Sequence, residues 1–339
     1  MLEAGLRNTI RDWLSSTGRV VIMTHTNPDG DAIGSCLALA LALKKKGMDT
    51  QVLIPDGLPD FLRWLPGIEL STTFVYKKDK GIGLIERADL IFCLDFNDPD
   101  RLNDLKEHLF GSNAKKILID HHEDPVPFAD ITLSEPWRGS VGEMVFLFLR
   151  EVFEEDLIDK DVATNLYVAI MTDTGNFSYA SSYPEIFYIV GELMKYDLEK
   201  DMIFSRVYDS FSEDRMRLLG YCIQKKMVVL PRYHTAYISI TDEELKQFKH
   251  RKGDTEGFVN IPFSVKGVSF TALFVEKKDR IKVSFRSRGS FPVNRIASEH
   301  YQGGGHINAA GGDSFLSMEE TLNQFESLLP AYEALLSES

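Results

Sequence analysis

Apolar runs of strand length alternate with longer helical patterns through the first half of the chain. "RVVIMTH" at residues 19–25 reads as a buried strand, and "DAIGSCLALALALKKKG" at 31–47 as a helix with lysines and a glycine at its C-terminal end. "TQVLI" (50–54), "ADLIFCLDF" (88–96) and "KKILIDHH" (115–122) are further strands. Near-continuous apolar strands separated by helices predict a mainly parallel sheet with helices on both faces. Helical patterns follow at 139–154 and 159–172, the second running into "MTDTGNFSY", with more helical segments after Pro184. The charge-rich stretch 196–226 reads as a helical connector. From Met227 the texture changes: "MVVLPRYHTAYISI", "GFVNIPFSV", "VSFTALFVEK" and "RIKVSFRSR" read as consecutive strands. A helix capped by Thr241 follows the first of these, and an amphipathic helix capped by Ser317 closes the chain. The predicted fold class is α/β, with a larger domain over 1–195, the connector over 196–226 and a smaller α+β domain over 227–339.

Composition narrows the function. With 339 residues and 44% hydrophobic content the chain can fill two cores. Three cysteines without CxxC spacing suggest neither a disulfide framework nor a zinc site. The longest apolar stretch near the N-terminus, residues 37–43, is too short for a bilayer, and "MLEAGLRNTIRDWL" lacks a signal-peptide layout, so a cytoplasmic protein with no membrane engagement is expected. A net charge of −13 argues against gripping long nucleic acid through a broad basic surface. An anionic substrate would need local positive charge from metal ions or a few arginines.

In parallel α/β sheets, ligands gather beyond the carboxyl ends of the strands, at a topological switch point. His25, Asp95 and the "DHH" at 120–122 each close an apolar run. "THTNPDGDAIGS" (24–35) sets His25, Asp29 and Asp31 where a strand hands over to a helix; one carboxylate would suffice as a cap, and the surplus asks for a cation. Asp173 in "MTDTGNF" joins this set. Carboxylates mixed with imidazole suit Mn²⁺, Mg²⁺ or Fe²⁺. Two ions about 4 Å apart need a bridging carboxylate and separate terminal ligands. Singly, each residue has a plainer reading: Asp29 and Asp31 as turn and cap, Asp95 as a strand end, Asp173 as a helix terminator. His121 and His122, being adjacent on a strand, should point to opposite faces, so at most one is a direct ligand and the other faces substrate. Toward the C-terminus, Gly303, Gly304 and Gly305 can expose backbone N–H groups to phosphate oxygens, with His306 adding a donor, although a flexible loop is the plainer reading. Arg286 offers a bidentate fork for phosphate, and Asn294 either contacts substrate or starts a helix.

"HTNPDGDAIGS", "LDFND", "IDHH" and "MTDTGNF", in this order, resemble the signature motifs of the DHH phosphoesterases. "FRSRG" followed by "GGGHINAAGG" resembles that of the DHH-associated C-terminal domain, so the likeness covers nearly the whole chain. It is strongest to the bifunctional group that degrades short oligoribonucleotides and dephosphorylates 3′-phosphoadenosine 5′-phosphate. The resemblance implies two divalent metal ions, Mn²⁺ or else Mg²⁺, one on His25, Asp29 and Asp95, the other on Asp31, Asp95, His121 and Asp173, with Asp95 bridging. It implies a catalytic His122 beside the scissile phosphate, Asp120 orienting a neighbouring histidine, and Arg286, Gly303, Gly304, Gly305, His306 and Asn294 holding the nucleotide. The activity implied is cleavage of short oligoribonucleotides to nucleoside monophosphates and removal of the 3′-phosphate, without tracking along long strands. A cyclic- or linear-dinucleotide phosphodiesterase would use the same residues. An exopolyphosphatase and a non-catalytic nucleotide sensor are lesser alternatives, the sensor opposed by a ligand set from which nothing is missing. The sequence leaves a homodimer open.

Overall fold

A computed structural model describes residues 2–209, 211–251 and 253–337. The chain divides into two compact units, Met1–Ser210 and Phe211–Ser339.

The first unit is built on β1 (Arg19–Met23), β2 (Asp49–Ile54), β3 (Ser71–Thr73), β4 (Leu90–Leu94), β5 (Lys115–Asp120) and β6 (Ile131–Ser134), all parallel in the order β3-β2-β1-β4-β5-β6. Its helices are α1 (Ala4–Ser15), α2 (Gly30–Lys45), α3 (Lys78–Arg87), α4 (Leu105–Gly111), α5 (Val141–Val152), α6 (Lys160–Asp173), α7 (Pro184–Leu193) and α8 (Lys200–Tyr208). Successive strand residues face opposite ways, and both faces are covered. Val20, Ile22, Phe92 and Ile119 join the core formed with α1, α2, α5, α6 and α7, whereas Val21, Met23, Ile91, Cys93 and Leu118 pack with residues of α3 and α4. The doubly wound arrangement is the one the apolar pattern predicts. The edge strands β3 and β6 are additions, because "STT" and "ITLS" are too short and too polar to stand out. The order reverses between β1 and β4, and His25 and Asp95 lie just beyond the ends of those two strands.

Helix α2 is buried from Gly30 through Ala40, as expected of a helix apolar all round. It packs tightly on α6 because Gly34 has no side chain: a Cβ there would lie 2.6 Å from the Asn165 carbonyl oxygen. This close approach brings the N-terminal turn of α2 beside the C-terminal turn of α6, and so Asp31 near Asp173.

The second unit holds α9 (Glu213–Tyr221), β7 (Met227–Leu230), β8 (Thr235–Ile240), α10 (Asp242–Gln247), β9 (Phe270–Glu276), β10 (Ile281–Ser287), α11 (Val293–His300), β11 (Gly304–His306), β12 (Ala309–Ser314) and α12 (Met318–Ser337). The strands form one sheet in the order β11-β12-β10-β9-β8-β7, antiparallel except for β8 with β9. One core is strongly aromatic, with Phe270, Phe274, Phe285, Tyr301 and Phe325 at its centre. Another gathers Leu218, Ile238, Leu273, Val275 and Phe258. Thr241 and Ser317 both form capping boxes.

Two strand expectations are corrected here. "GFVNIPFSV" is a 3-10 helix, Phe258–Ser264, that still buries Phe258, Val259 and Pro262. Pro262 has no N–H to give a sheet ladder, and the apolar run serves packing instead. "MVVLPRYHTAYISI" is two strands, β7 and β8, broken by a 3-10 turn at Pro231–Tyr233 for the same reason. The charge-rich stretch holds two helices, α8 in the first unit and α9 in the second. No helix among the described residues is long and apolar enough to cross a membrane.

Because the obstacle facing Gly34 is backbone, it cannot swing aside. Gly34→Ala should therefore destabilise the first unit by roughly 1–3 kcal/mol, the usual cost of overpacking. Chemical denaturation would measure this, and an unchanged midpoint would contradict the close approach.

Candidate metal centre

At the end of β1 the chain passes buried Thr24 and His25 and turns through Asn27, which has φ 52°. Asp29 then caps α2, accepting the Ala32 N–H at 3.0 Å. Asp31, in the first turn, is completely buried and accepts N–H groups from Val141 (2.6 Å) and Gly142 (2.9 Å) and the Ser35 hydroxyl (3.0 Å). Its carboxylate thus sits on the N-terminus of α5, where open N–H groups and the helix dipole favour an anion.

Asp95 follows β4 with φ 66°. A left-handed residue other than glycine costs on the order of 1–3 kcal/mol and is held only where the surroundings enforce it. Here it lets the chain turn sharply at the strand end. One carboxylate oxygen, Oδ2, lies 3.3 Å from His25 Nε2, and the other, Oδ1, lies 3.5 Å from His121 Nε2. His121 Nε2 is also 3.3 Å from Asp173 Oδ2 and 3.9 Å from Asp31 Oδ2. Among the groups of ligand atoms that lie within 4.8 Å of one another are His25/Asp29/Asp95, Asp31/His121/Asp173 and Asp95/Asp120/His122.

The imidazoles are oriented from behind. His25 Nδ1 lies 2.8 Å from the Thr26 carbonyl and His121 Nδ1 lies 3.0 Å from the Arg138 carbonyl. Both Nδ1 atoms must donate, so each Nε2, directed at carboxylates, either carries a proton or offers a lone pair. Lone pair against anion is repulsive unless a proton or a cation lies between them. The titration tendencies agree. Burial alone would lower His121, but its hydrogen bond to Asp95 and the charges of Asp173, Asp95 and Asp31 hold it well above the usual imidazole range. Burial also opposes charge on His25, with Arg101 adding to that, yet Asp95 and Asp29 raise it. Asp31 is pushed well up by burial and by the neighbouring Asp95 and Asp173 charges. Asp95 is held well down despite its burial, through hydrogen bonds from His121 and His25. Such a donor set fits divalent cations of the oxygen- and nitrogen-loving kind.

His122 sits differently from the expectation. β5 ends at Asp120, so both histidines lie past the strand, and their rings stand edge to face 5.1 Å apart rather than on opposite faces. Nδ1 of His122 is 2.8 Å from Asp120 Oδ1, and Arg101 Nη1 is 2.9 Å from His122 Nε2. Burial and the Arg101 charge outweigh Asp120 and lower the ring's affinity for a proton. Arg101 escapes a reading of the sequence because it lies in an ordinary-looking turn, "NDPDRL". Only its place just after a strand end could have pointed to it.

The C-terminal candidates lie in the second unit. Arg286 on β10 and His306 on β11 are both register partners of Ala309 on β12. Directly paired residues share a face, so this sheet presents Arg286 and His306 side by side, two strand spacings or about 9–10 Å apart. Gly303 has a structural use, since a Cβ there would lie 1.9 Å from the Gly311 carbonyl oxygen. Gly304 and Gly305 belong to the β11–β12 pairing rather than to a loop. Asn294 lies in the first turn of α11, where its side-chain oxygen accepts the Arg295 N–H.

Known proteins share this arrangement of sequence. The DHH family N-terminal domain matches residues 19–170 and the DHHA1 domain residues 232–338. The bifunctional oligoribonuclease and PAP phosphatase NrnA of Thermus thermophilus is 31% identical over 302 residues, covering 87% of this chain and 83% of its own. The Bacillus subtilis protein of the same name is 26% identical over 317 residues, 93% of this chain and 96% of its own. The crystal structure of an exopolyphosphatase-related protein from Bacteroides fragilis superposes with a TM-score of 0.94 at 41% identity, covering 98% of this chain and 97% of that one. With both domains matched in order along the same chain, this protein belongs to the DHH family and is a hydrolytic phosphoesterase.

Proposed function

We propose that the protein is a two-metal phosphohydrolase that cleaves short oligoribonucleotides to nucleoside monophosphates and removes the 3′-phosphate of 3′-phosphoadenosine 5′-phosphate. The observation that carries the metal part is Asp95, whose two oxygens face two separate ligand groups. The substrate class is supported by the two NrnA relatives, which align along most of the chain.

In this reading His25, Asp29 and Asp95 hold one ion and Asp31, Asp95, His121 and Asp173 the other, with Mn²⁺ the first expectation and Mg²⁺ the second. Such a pair, when bound, lowers the pKa of water and offsets charge on the phosphoryl group. The chain's own groups do the rest. His25 and His121 keep Nε2 toward the ions because backbone carbonyls hold Nδ1. His122 Nδ1 is anchored by Asp120 and its Nε2 accepts from Arg101, so as the catalytic group it would meet a phosphate or leaving oxygen through a proton taken up at Nε2 in place of that contact, while Arg101 beside it adds positive charge. Arg286 and His306 share one face of the second unit's sheet and serve as the phosphate-binding pair that orients the nucleotide, with the Gly303–Gly305 backbone and Asn294 in lesser roles. Short substrates are favoured because further phosphates would meet a chain with 51 acidic residues against 38 basic ones.

A rate comparison tests the substrate class. Purified protein with Mn²⁺ should turn over RNA dinucleotides and 3′-phosphoadenosine 5′-phosphate fastest, with specific activity falling steeply as RNA lengthens. Faster turnover of tripolyphosphate or of a cyclic dinucleotide would overturn the assignment.

Mn²⁺ at about a hundred times its Kd should stabilise the protein by about 2.7 kcal/mol, and chelation should reverse this. Loss of an outer partner of a metal ligand typically costs 10- to 100-fold, so Asp95→Asn should lower turnover by more than about 100-fold. Its metal content and its thermal stabilisation by Mn²⁺ should fall together. Activity near wild type would exclude a bridging carboxylate.

Arg286→Ala and His306→Ala should leave Mn²⁺ binding intact while lowering kcat/KM on nucleotides by roughly 100- to 1000-fold, the range for a lost charge-stabilising donor. A small synthetic phosphodiester should suffer less. Equal losses on both substrates would argue against a nucleotide-orienting role.

A further inference from the structure

We infer that Glu143 is a positioning residue for the metal-facing nitrogen of His121, acting through the peptide plane between Arg138 and Gly139. The inference rests on the reading of His121 as a ligand given above.

The two ends of that one peptide unit are held from opposite sides. Its carbonyl, Arg138 O, is 3.0 Å from His121 Nδ1. Its N–H, on Gly139, donates to Glu143 Oε1 at 3.0 Å and to the Tyr183 hydroxyl oxygen at 2.8 Å. Tyr183 in turn donates its hydroxyl proton to the same Glu143 oxygen at 2.6 Å. A peptide is planar and stiff, so fixing the N–H fixes the direction of the carbonyl. A carboxylate on the N–H also polarises the amide and makes its oxygen a stronger acceptor. The chain of contacts therefore runs from carboxylate through amide to imidazole and ends at Nε2, which faces Asp31, Asp95 and Asp173. It does by way of one backbone amide what a carboxylate hydrogen-bonded directly to a metal-binding histidine does elsewhere.

Glu143 could instead be a counter-ion for Arg138, or half of a capping box for α5. Neither accounts for what its oxygens do. Arg138 already bonds Glu135 and Glu185 and lies over the Trp137 ring. Glu143 Oε2, the oxygen nearer to it at 3.6 Å, has no hydrogen-bond partner. A capping box would send the Glu143 side chain to the N–H of the cap, Ser140. It reaches instead one residue further back, to Gly139. The side chain is wholly buried, a costly place for a carboxylate whose only service is structural.

The test is a double-mutant cycle read by calorimetric titration of Mn²⁺ into the full-length protein. Glu143→Gln should weaken one Mn²⁺ site about tenfold, the low end for an outer partner of a metal ligand. Tyr183→Phe should weaken it less, since Glu143 still holds the Gly139 N–H. In a His121→Asn background, Glu143→Gln should cost nothing further, because the relay then ends at no imidazole. Wild-type Mn²⁺ affinity in Glu143→Gln, or full additivity with His121→Asn, would overturn the inference. Should Glu143→Gln fail to fold, the Tyr183→Phe cycle decides by the same additivity criterion. His121→Asn with both Mn²⁺ sites unaltered would instead remove the ligand assignment, and this inference with it.

Discussion

Negative charge concentrated out of water is the constraint around which the first unit is organised. Asp31 and Asp95 are buried, Asp173 is half-buried, and all three converge on one imidazole nitrogen. Carboxylates so placed repel one another strongly in a medium of low polarisability. The fold compensates with donors that cost nothing to orient. The N-terminus of α5 serves Asp31, the first turn of α2 serves Asp29, and two histidines flank Asp95. What remains unbalanced is the charge that a pair of divalent cations would neutralise.

Much of the surrounding architecture can be understood as the means of bringing these groups together. Parallel strands deliver His25, Asp95 and His121 to one sheet edge because a strand's last residue has nowhere to go but the loop beyond it. Helices α2 and α6 must approach to bare-backbone distance for Asp31 and Asp173 to meet, and Gly34 permits this. Asp95 accepts a left-handed backbone, a local penalty met by packing elsewhere. A site assembled from three strand ends and two helix ends rests on regular secondary structure, the kind of support a metal centre would need.

In the proposed function the second unit answers a different requirement. A phosphoryl centre recognises little beyond phosphate, so selecting a nucleotide needs groups from elsewhere. The β10-β12-β11 register aligns Arg286 and His306 on one face of an antiparallel sheet, opposite in character to the carboxylate-rich edge of the first unit. In a chain of net charge −13, such a local pair would, in the proposed reading, supply attraction without a broad basic surface.

Alternation of apolar strands and helices made the doubly wound sheet legible from sequence, because a strand buried on both faces has no option but a continuous apolar run. The convergence of His25, Asp95 and His121 was legible for a related reason, since polar groups at the ends of such runs share one edge, whereas Asp29, Asp31 and Asp173, at helix ends, were joined to them as ligands by the resemblance to the DHH motifs. "GFVNIPFSV" misled because an apolar run records burial and not backbone shape, and Pro262 decided the shape. His121 and His122 were expected to diverge as strand residues do, but the strand stops at Asp120, and a one-residue boundary lies below what pattern can resolve. Arg101 and Glu143 were invisible for a deeper reason. Their neighbours in sequence are ordinary turn and helix-start residues, and their partners, His122 and the Arg138–Gly139 peptide, are chosen by how loops pack in three dimensions. Sequence by itself determined which groups would be carried to the sheet edge; only tertiary structure decided which atom of each would face which, because hydrogen-bond direction depends on loop packing that no local pattern encodes.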